Sequence, residues 1–298
     1  MEKLVIATFN PGKIKEYKLL LKNSPLKILT LKELGIKEKV KEEGKTFKEN
    51  AILKATFYGK LTKLPTLAED GGLEIEALNG EPGVKSRRWL GYEAKDEELI
   101  EFTLKRLKGI PFEKRKAKLK VVLCLALPYK EKVSLFLSEG ELFGKILEKP
   151  KGKLEKGYPF RVLFYLPEYK KTLAQLSFEK EVEIGHRKKA LLELKPILKI
   201  LPKINFNFDL SKLTPFQKRV LKEVEKIPYG KTKTYQEIAK KISKPKAQRA
   251  VAKAISKNPL PLIIPCHRVV GKRNLGGYIF GQNMKKYLLN LERKMPLS

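Results

Sequence analysis

The sequence predicts an α/β domain followed by a mainly helical one, and three observations carry that prediction. Strand-like and helix-like stretches alternate through about the first 198 residues, the pattern of an α/β domain. A chain of 298 residues is long enough for two domains of roughly 100–200 residues each. Between them, Pro196 and Pro202 flank Ile197–Leu201, and the polar, aromatic stretch Asn205–Asn207 follows, so residues 199–207 are expected to be a linker.

The elements are expected in this order. A strand over Lys3–Thr8 meets the turn Pro11-Gly12, which opens a helix over Lys13–Lys22. A longer helix spans Thr46–Lys63, followed by a strand near Thr66–Ala68. Three β-rich runs come next, at Ala117–Leu127, Lys132–Gly140 and Phe160–Leu166, then a helix at Arg187–Leu198. After the linker, Thr214-Pro215 reads as an N-cap with proline at the first helical position, leading a helix to about Ile227. Thr234–Ile242 and Ala247–Ser256, joined by Ser243-Lys244-Pro245-Lys246, fit a helix-turn-helix. A final helix covers Met284–Glu292. There is no internal repeat.

Composition excludes several classes. With 42% hydrophobic and 33% charged residues the chain reads as globular. Its longest apolar runs, such as Val121–Leu127, fall far short of the ~20 residues of a membrane span. The start has too short an apolar stretch for a signal peptide, so a cytoplasmic location is expected. The formal net charge of +32 suits a polyanionic partner, although a lysine-rich solvated surface also contributes. Residues 208–298 carry 21 Lys/Arg against 5 Asp/Glu, a net +16 in 91 residues. The preceding 207 carry 44 against 28, the same +16. Charge density is thus about twice as high in the tail, as a nucleic-acid footprint requires.

The two cysteines, Cys124 and Cys266, sit 142 positions apart and form neither a disulfide framework nor a zinc spacing. Cys124 lies within a buried-strand pattern and reads as a small core side chain. Cys266 is followed by His267, in a chain with only one other histidine, His186. A thiol titrates near 8.5 and needs a base or a positive field to act as a nucleophile at neutral pH. A third group usually orients that base, and Glu292 is the best acidic candidate in the tail. On residue chemistry alone, an isolated Cys-His pair is more often incidental than catalytic.

The string Pro265-Cys266-His267-Arg268-Val269 closely resembles the signature of the O6-alkylguanine-DNA alkyltransferases. The likeness extends over about 90 residues, through Thr214-Pro215-Phe216-Gln217, Ile227-Pro228-Tyr229-Gly230-Lys231, Thr234-Tyr235, Arg249-Ala250-Val251, Asn258-Pro259 and Leu275-Gly276-Gly277-Tyr278 to Leu288–Glu292. It implies a winged-helix-like domain at 208–298 that binds duplex DNA carrying O6-alkylguanine and needs no cofactor. Cys266 would be the nucleophile, His267 its base through a water, and Glu292 the group holding the imidazole. Asn258 would fix the backbone of the site, Tyr235 would help protonate the leaving purine, and Lys285 would line the pocket. Arg249 would fill the gap left by the flipped base, with Tyr235, Gln236, Ala247 and Arg268 on the DNA side. That geometry suits minor-groove binding and base extrusion. Where the family usually has small residues this chain has Ile279-Phe280, which favours methyl over benzyl transfer.

Residues 1–198 resemble the Ham1/inosine triphosphate pyrophosphatase family. The matching stretches are Ala7–Lys13, Glu42–Phe47, Glu49-Asn50-Ala51, Ala68–Leu73, Pro82-Gly83 with Arg88, and His186-Arg187. The resemblance implies a mixed sheet with flanking helices and Mg²⁺-dependent hydrolysis of aberrant purine nucleoside triphosphates (ITP, dITP, XTP) to the monophosphate and pyrophosphate. Thr8, Asn10, Lys13, Gly71, Arg88, His186 and Arg187 would contact the nucleotide; Glu42 and Asp70 would hold Mg²⁺, and Asp70 would activate the attacking water. A turn into a helix with a nearby lysine suits phosphate, and paired carboxylates suit Mg²⁺. The family's dimers imply a homodimer through residues 1–198.

This chain departs from the family at several points. Asp-Asp-Ser-Gly reads Glu69-Asp70-Gly71-Gly72, and Gly-Phe-Gly-Tyr-Asp-Pro reads Gly157-Tyr158-Pro159-Phe160-Arg161-Val162. Ser-His-Arg has become Gly185-His186-Arg187, and an expected lysine is Glu181. Two alternatives stay open: a one-shot alkyltransferase or alkylation-damage-binding protein whose first domain serves only as structure or dimerisation platform, and, separately, a helix-turn-helix regulator without covalent chemistry.

Overall fold

The computed structural model describes residues 2–297. β1 (Lys3–Ile6) leads into α1 (Pro11–Leu20). Asn10 sets the start of α1: its Oδ1 accepts the backbone N–H of Gly12 at 2.9 Å and of Lys13 at 3.2 Å. The chain returns through β2 (Lys27–Thr30), then α2 (Phe47–Thr62), capped by Thr46, then β3 (Thr66–Ile75). α3 (Asp96–Arg106) precedes a long hairpin of β4 (Lys116–Tyr129) and β5 (Lys132–Ile146). β6 (Phe164–Leu166), β7 (Lys171–Thr172), α4 (Phe178–Ile184) and α5 (His186–Ile200) complete this part. The sheet has seven strands in the order β2-β1-β3-β4-β5-β6-β7; β1 runs parallel to β2 and β3, and the other neighbours are antiparallel.

Alternation along β4 builds two apolar layers. Val121, Leu123, Leu125 and Leu127 face α1 and α5, meeting Tyr17, Ala190 and Leu194. Val122, Cys124 and Ala126 face α2, meeting Ala51, Ala55 and Tyr58. Each buried Val or Leu among them contributes about 1.5–3 kcal/mol. Cys124 is a buried core residue, as its strand pattern predicts.

The remainder is mainly helical: α6 (Pro215–Glu225), α7 (Tyr235–Lys241), α8 (Gln248–Ser256) and α9 (Gln282–Lys294). β8 (Lys233–Thr234) and β9 (Val269–Val270) form a small parallel pair between them. Capping boxes pin two of these helices, Thr214 with Gln217 and Thr234 with Glu237. α7, the turn and α8 stand where the helix-turn-helix is expected. Among the described residues, no helix is long and apolar enough to cross a membrane.

The segment expected as a linker is packed. α5 runs on to Ile200, and Leu201 and Ile204 are buried in an apolar cluster that also holds Val220, Leu221 and Val224 of α6. The two parts share one core at this seam. Polar contacts reinforce it: the Tyr129 hydroxyl donates to Phe208 O at 3.1 Å, and Lys132 pairs with Glu225 at 2.7 Å. Met295, just past α9, is buried beside Phe47, Val122 and Leu137.

Six of these elements have no counterpart in the sequence expectation: β2, α3, β7, α4, β8 and β9. Three others differ by more than the one or two residues of ordinary end fraying. β3 reaches Ile75 instead of Ala68, β5 reaches Ile146 instead of Gly140, and Phe160 lies in a helical turn before β6.

Candidate active sites

The first site is centred on Cys266, at the start of a helical turn over Cys266–Arg268. The preceding Pro-Leu-Ile-Ile-Pro loop holds Leu262 at φ +75°, a rare conformation for a branched side chain that the surrounding core maintains. Asn258 ties the loop to the thiol. Its side-chain amide donates to Ile264 O at 2.9 Å and to Cys266 Sγ at 3.0 Å, and its Oδ1 accepts from Leu260 N at 3.1 Å. Burial pushes the Cys266 thiol up, while the Asn258 donor and the Lys285 charge work against that rise.

His267 is fully buried, with Nε2 2.8 Å from Glu292 Oε1. Its Nδ1 is buried and has no hydrogen-bond partner among the described residues. Burial holds the imidazole below its usual range despite the carboxylate beside it, so it is neutral and able to accept a proton. Burial alone would raise Glu292. The donors from His267 and Arg268 instead bring it down to about 2. Glu292 also accepts the Gly230 backbone N–H at 2.9 Å, joining α9 to the loop after α6.

The Arg268 guanidinium donates to both Glu292 oxygens at 2.8–3.1 Å and to Ile227 O at 2.8 Å. Its contacts are with the protein, and it buttresses the acid. Lys285 donates from Nζ to Val269 O at 2.5 Å and to Gly277 O at 3.0 Å, and burial lowers it to about 8. Gly276, at φ +67°, lies against the Tyr235 hydroxyl; a Cβ there would come within 2.5 Å of that oxygen. Only glycine permits this approach. Arg249 and Gln236 are exposed on the helix-turn-helix, and Ala247 is half-buried at its turn. Of the two bulky residues near the pocket, Ile279 is exposed, whereas Phe280 packs edge-on against Tyr278.

The second site is a cleft of about 360 Å³ in the first part of the chain, lined at one end by Asn10, Lys13 and Gly71. β3 delivers two acids to opposite faces. Glu69 points into a buried ionic cluster: Lys13 lies 2.7 Å away, Arg187 clasps it through Nε at 2.9 Å and Nη2 at 3.1 Å, and the Tyr17 hydroxyl donates to it. Burial would raise Glu69, but Arg187 and Lys13 hold it well below the carboxylate range. Arg187 also pairs with Glu16 at 3.1 Å, so its guanidinium is fully engaged within the protein. Sequence reasoning missed Glu16 and Tyr17, since only the fold brings α1 against α5.

Asp70 points to the other face. It accepts from Asn50 at 3.0 Å and Lys54 at 3.2 Å, and Lys54 reaches Glu42 at 3.0 Å. The two carboxylates expected to hold a metal are thus brought together around one ammonium. Asn50 and Lys54 stand four apart on α2, a spacing that sets both on one face. Arg88 is exposed and donates to Glu42 O at 3.3 Å. Thr8 Oγ1 accepts from Asn10 N at 3.2 Å, which tightens the turn before α1. His186 lines the cleft, and burial, reinforced by Arg187, keeps it neutral.

Residues 4–197 match the Ham1 family, and the chain belongs to that family. A second match, to the DNA-binding domain of 6-O-methylguanine DNA methyltransferase, covers residues 215–294. The dITP/XTP pyrophosphatase of Thermoanaerobacter pseudethanolicus is 42% identical over 193 residues, covering 65% of this chain and 94% of that protein. The structure of a HAM1 protein from Coxiella burnetii is 35% identical, with a TM-score of 0.60 over 66% of this chain and 98% of that one. The Mycobacterium tuberculosis OGT solved in complex with DNA is 49% identical over 28% of this chain and 52% of that one, with a TM-score of 0.28.

Proposed function

We propose that the chain is a two-part genome-maintenance enzyme. Its C-terminal part removes a methyl group from O6-methylguanine in duplex DNA. Its N-terminal part hydrolyses aberrant purine nucleoside triphosphates such as dITP before polymerases can use them.

The observation that carries the first activity is the buried array Asn258–Cys266 beside His267–Glu292. His267, neutral and oriented by Glu292, takes the thiol proton through a water lodged at Nδ1. The thiolate then attacks the methyl carbon, forming an S–C bond as the C–O6 bond breaks. Tyr235 delivers a proton to the departing guanine. Asn258 and Lys285 stabilise the sulfur charge before attack. The thioether is stable, so each molecule acts once. Arg249 on α8 enters the duplex as the base leaves it. Mass spectrometry after incubation with methylated DNA tests this: one methyl on the Cys266 peptide supports it, and an unmodified peptide with tight DNA binding leaves a regulator.

The second activity rests on the cluster of Glu42, Asp70 and Lys54, with Lys13 near enough for its charge to act on the Asp70 carboxylate. A site already shaped around a positive charge, with two carboxylates and an open side, suits Mg²⁺, which takes one or two carboxylates and completes its shell with phosphates and water. Bound by Glu42 and Asp70, it would neutralise phosphate charge. Asp70 draws a proton from the attacking water, Lys13 and the start of α1 hold phosphate oxygens, and Arg88 covers the open side. Water adds to the α-phosphorus, the α–β bridge breaks, and monophosphate and pyrophosphate leave. Mg²⁺-dependent pyrophosphate release from dITP, XTP and GTP, with Asp70→Asn as control, is the test. No release from any of the three would reduce this part to a scaffold. Assembly as a homodimer through residues 1–198 is part of the proposal, and sedimentation velocity decides it.

A further inference from the structure

The cleft's second end carries an ion pair whose polarity is inverted relative to the pattern this family region resembles. Arg161 stands where that pattern has aspartate, and Glu181 where it has lysine. Both side chains line the cleft with Tyr158 and His186. Glu181 is 19% exposed and Arg161 13%, and the Arg161 guanidinium binds Glu181 through one terminal nitrogen and Glu155 through the other. Arg161 also lies over the Tyr158 ring, 5.3 Å from its centroid, and the Tyr158 hydroxyl contacts Asn10 at 3.2 Å. The pair therefore sits on an aromatic plate tied directly to the phosphate end. Two buried nitrogens here, Arg161 Nε and His186 Nδ1, have no hydrogen-bond partner among the described residues.

Changing both signs together keeps the attraction that closes this wall of the cleft, yet it reverses the hydrogen-bond code offered to a base. Arg161 can only donate, and Glu181, ionised, can only accept. A purine edge that satisfies both presents a carbonyl oxygen to Arg161 and an adjacent N–H to Glu181, which is the O6/N1–H edge of a 6-oxopurine. In that orientation the 2-position lies beside Glu181. Hydrogen there is neutral, and an amino group is a donor that Glu181 does not oppose, so exclusion of guanine falls to other parts of the cleft. A 2-oxo group sets an acceptor against a carboxylate, and leaving such groups unpaired is costly.

We propose that Arg161 and Glu181 are the specificity-determining pair of this cleft, selecting 6-oxopurine nucleotides without a 2-oxo group: hypoxanthine over xanthine. This rests on the hydrolase reading of the cleft, and a binding measurement separates the two.

The test compares ITP with XTP, in which a 2-oxo group and an N3–H replace the C2–H and bare N3 of ITP; the Glu181 variants isolate the part of the difference read at the 2-position. Calorimetric binding of each to the Asp70→Asn chain removes turnover from the measurement. ITP is expected to bind about 10–100-fold tighter than XTP, the range one pocket contact supplies. In Glu181→Gln, which can both donate and accept, the ratio should fall towards unity; in the double variant Arg161→Asp/Glu181→Lys, which keeps an ion pair, it should invert. Equal binding of ITP and XTP without a Glu181 substitution, or an unchanged ratio in both variants, overturns the assignment even if pyrophosphate release is robust. Selective ITP binding with no pyrophosphate release upholds the assignment and sinks the hydrolase reading alone.

Discussion

The His267 imidazole and the Glu292 carboxylate meet at 2.8 Å with both side chains wholly buried, and the same carboxylate is gripped by Arg268. One acid thus orients a base and neutralises a cation. Glu292→Gln should lower the single-turnover methyl-transfer rate about 10²–10⁴-fold, the usual range for lost acid–base assistance. It should also cost about 3–5 kcal/mol of stability, because Arg268 is left without its counter-charge. Methyl transfer and thermal unfolding read the two effects separately; an unchanged rate would remove Glu292 from the mechanism.

The same contact sets a pH dependence. Glu292 is held at about 2, below its ordinary 4.5, so the folded chain binds fewer protons than the unfolded one between those values. Its stabilising contribution is complete above about 4.5 and is lost as pH falls towards 2. Acid unfolding followed by circular dichroism should show this loss, and the Glu292→Gln chain should lack that part of the transition. His267 is also depressed, so methyl transfer should persist as pH drops through the ordinary imidazole value of 6.5.

Arg249 is exposed on α8 and is not among the buried contacts around Cys266. Arg249→Ala should weaken binding to methylated duplex DNA and flatten its salt dependence. Reaction of Cys266 with free O6-methylguanine base should be unaffected. A parallel loss with the free base would mean that Arg249 supports the pocket itself.

On the other face of β3, Lys54 holds Glu42 and Asp70 together as a tethered cation. Lys54→Met should leave the two carboxylates repelling each other and lower the Tm without Mg²⁺. Added Mg²⁺ should then raise the Tm of this variant more than that of the unsubstituted chain. Equal shifts would place the metal elsewhere.

The parts of the fold legible in the sequence are those fixed by local chemistry. Asn10 before Pro11-Gly12 and Thr214-Pro215 announce helix starts because their caps bind groups two or three residues away. β2 is a four-residue edge strand whose parallel pairing depends on a distant partner, and nothing local marks it. β3 carries Glu69-Asp70-Gly71-Gly72 through the middle of the sheet; charges and glycines conceal a strand that its neighbours impose. The candidate residues around Cys266 lie in short separate motifs, and Asn258, His267 and Glu292 converge in space. The pairing of Arg268 with Glu292 was not legible, because a surface arginine and a buried acid's partner look alike until α9 is placed against it. The cluster of Glu16, Tyr17, Glu69 and Arg187 joins three elements across 171 positions, beyond the reach of spacing arguments.

Leu201, Ile204 and Met295 tie the two catalytic parts into one hydrophobic body. Residues 208–297 expressed alone should therefore be poorly soluble or loosely packed, and restoring residues 2–207 in the same chain should recover a cooperative unfolding transition. A well-folded, active fragment would show the seam to be dispensable.

That seam also has a consequence in time. When α5 emerges from the ribosome, the patch of Phe47, Val122 and Leu137 still awaits Met295, encoded roughly ninety codons downstream. At roughly 5–20 residues per second, the interval is roughly 5–20 s, long compared with hydrophobic collapse. During it α1, α2 and α5 already cover both faces of the sheet, and what the nascent chain leaves open is the seam itself, the apolar ends at Leu201, Ile204 and Phe47 that the second enzyme closes.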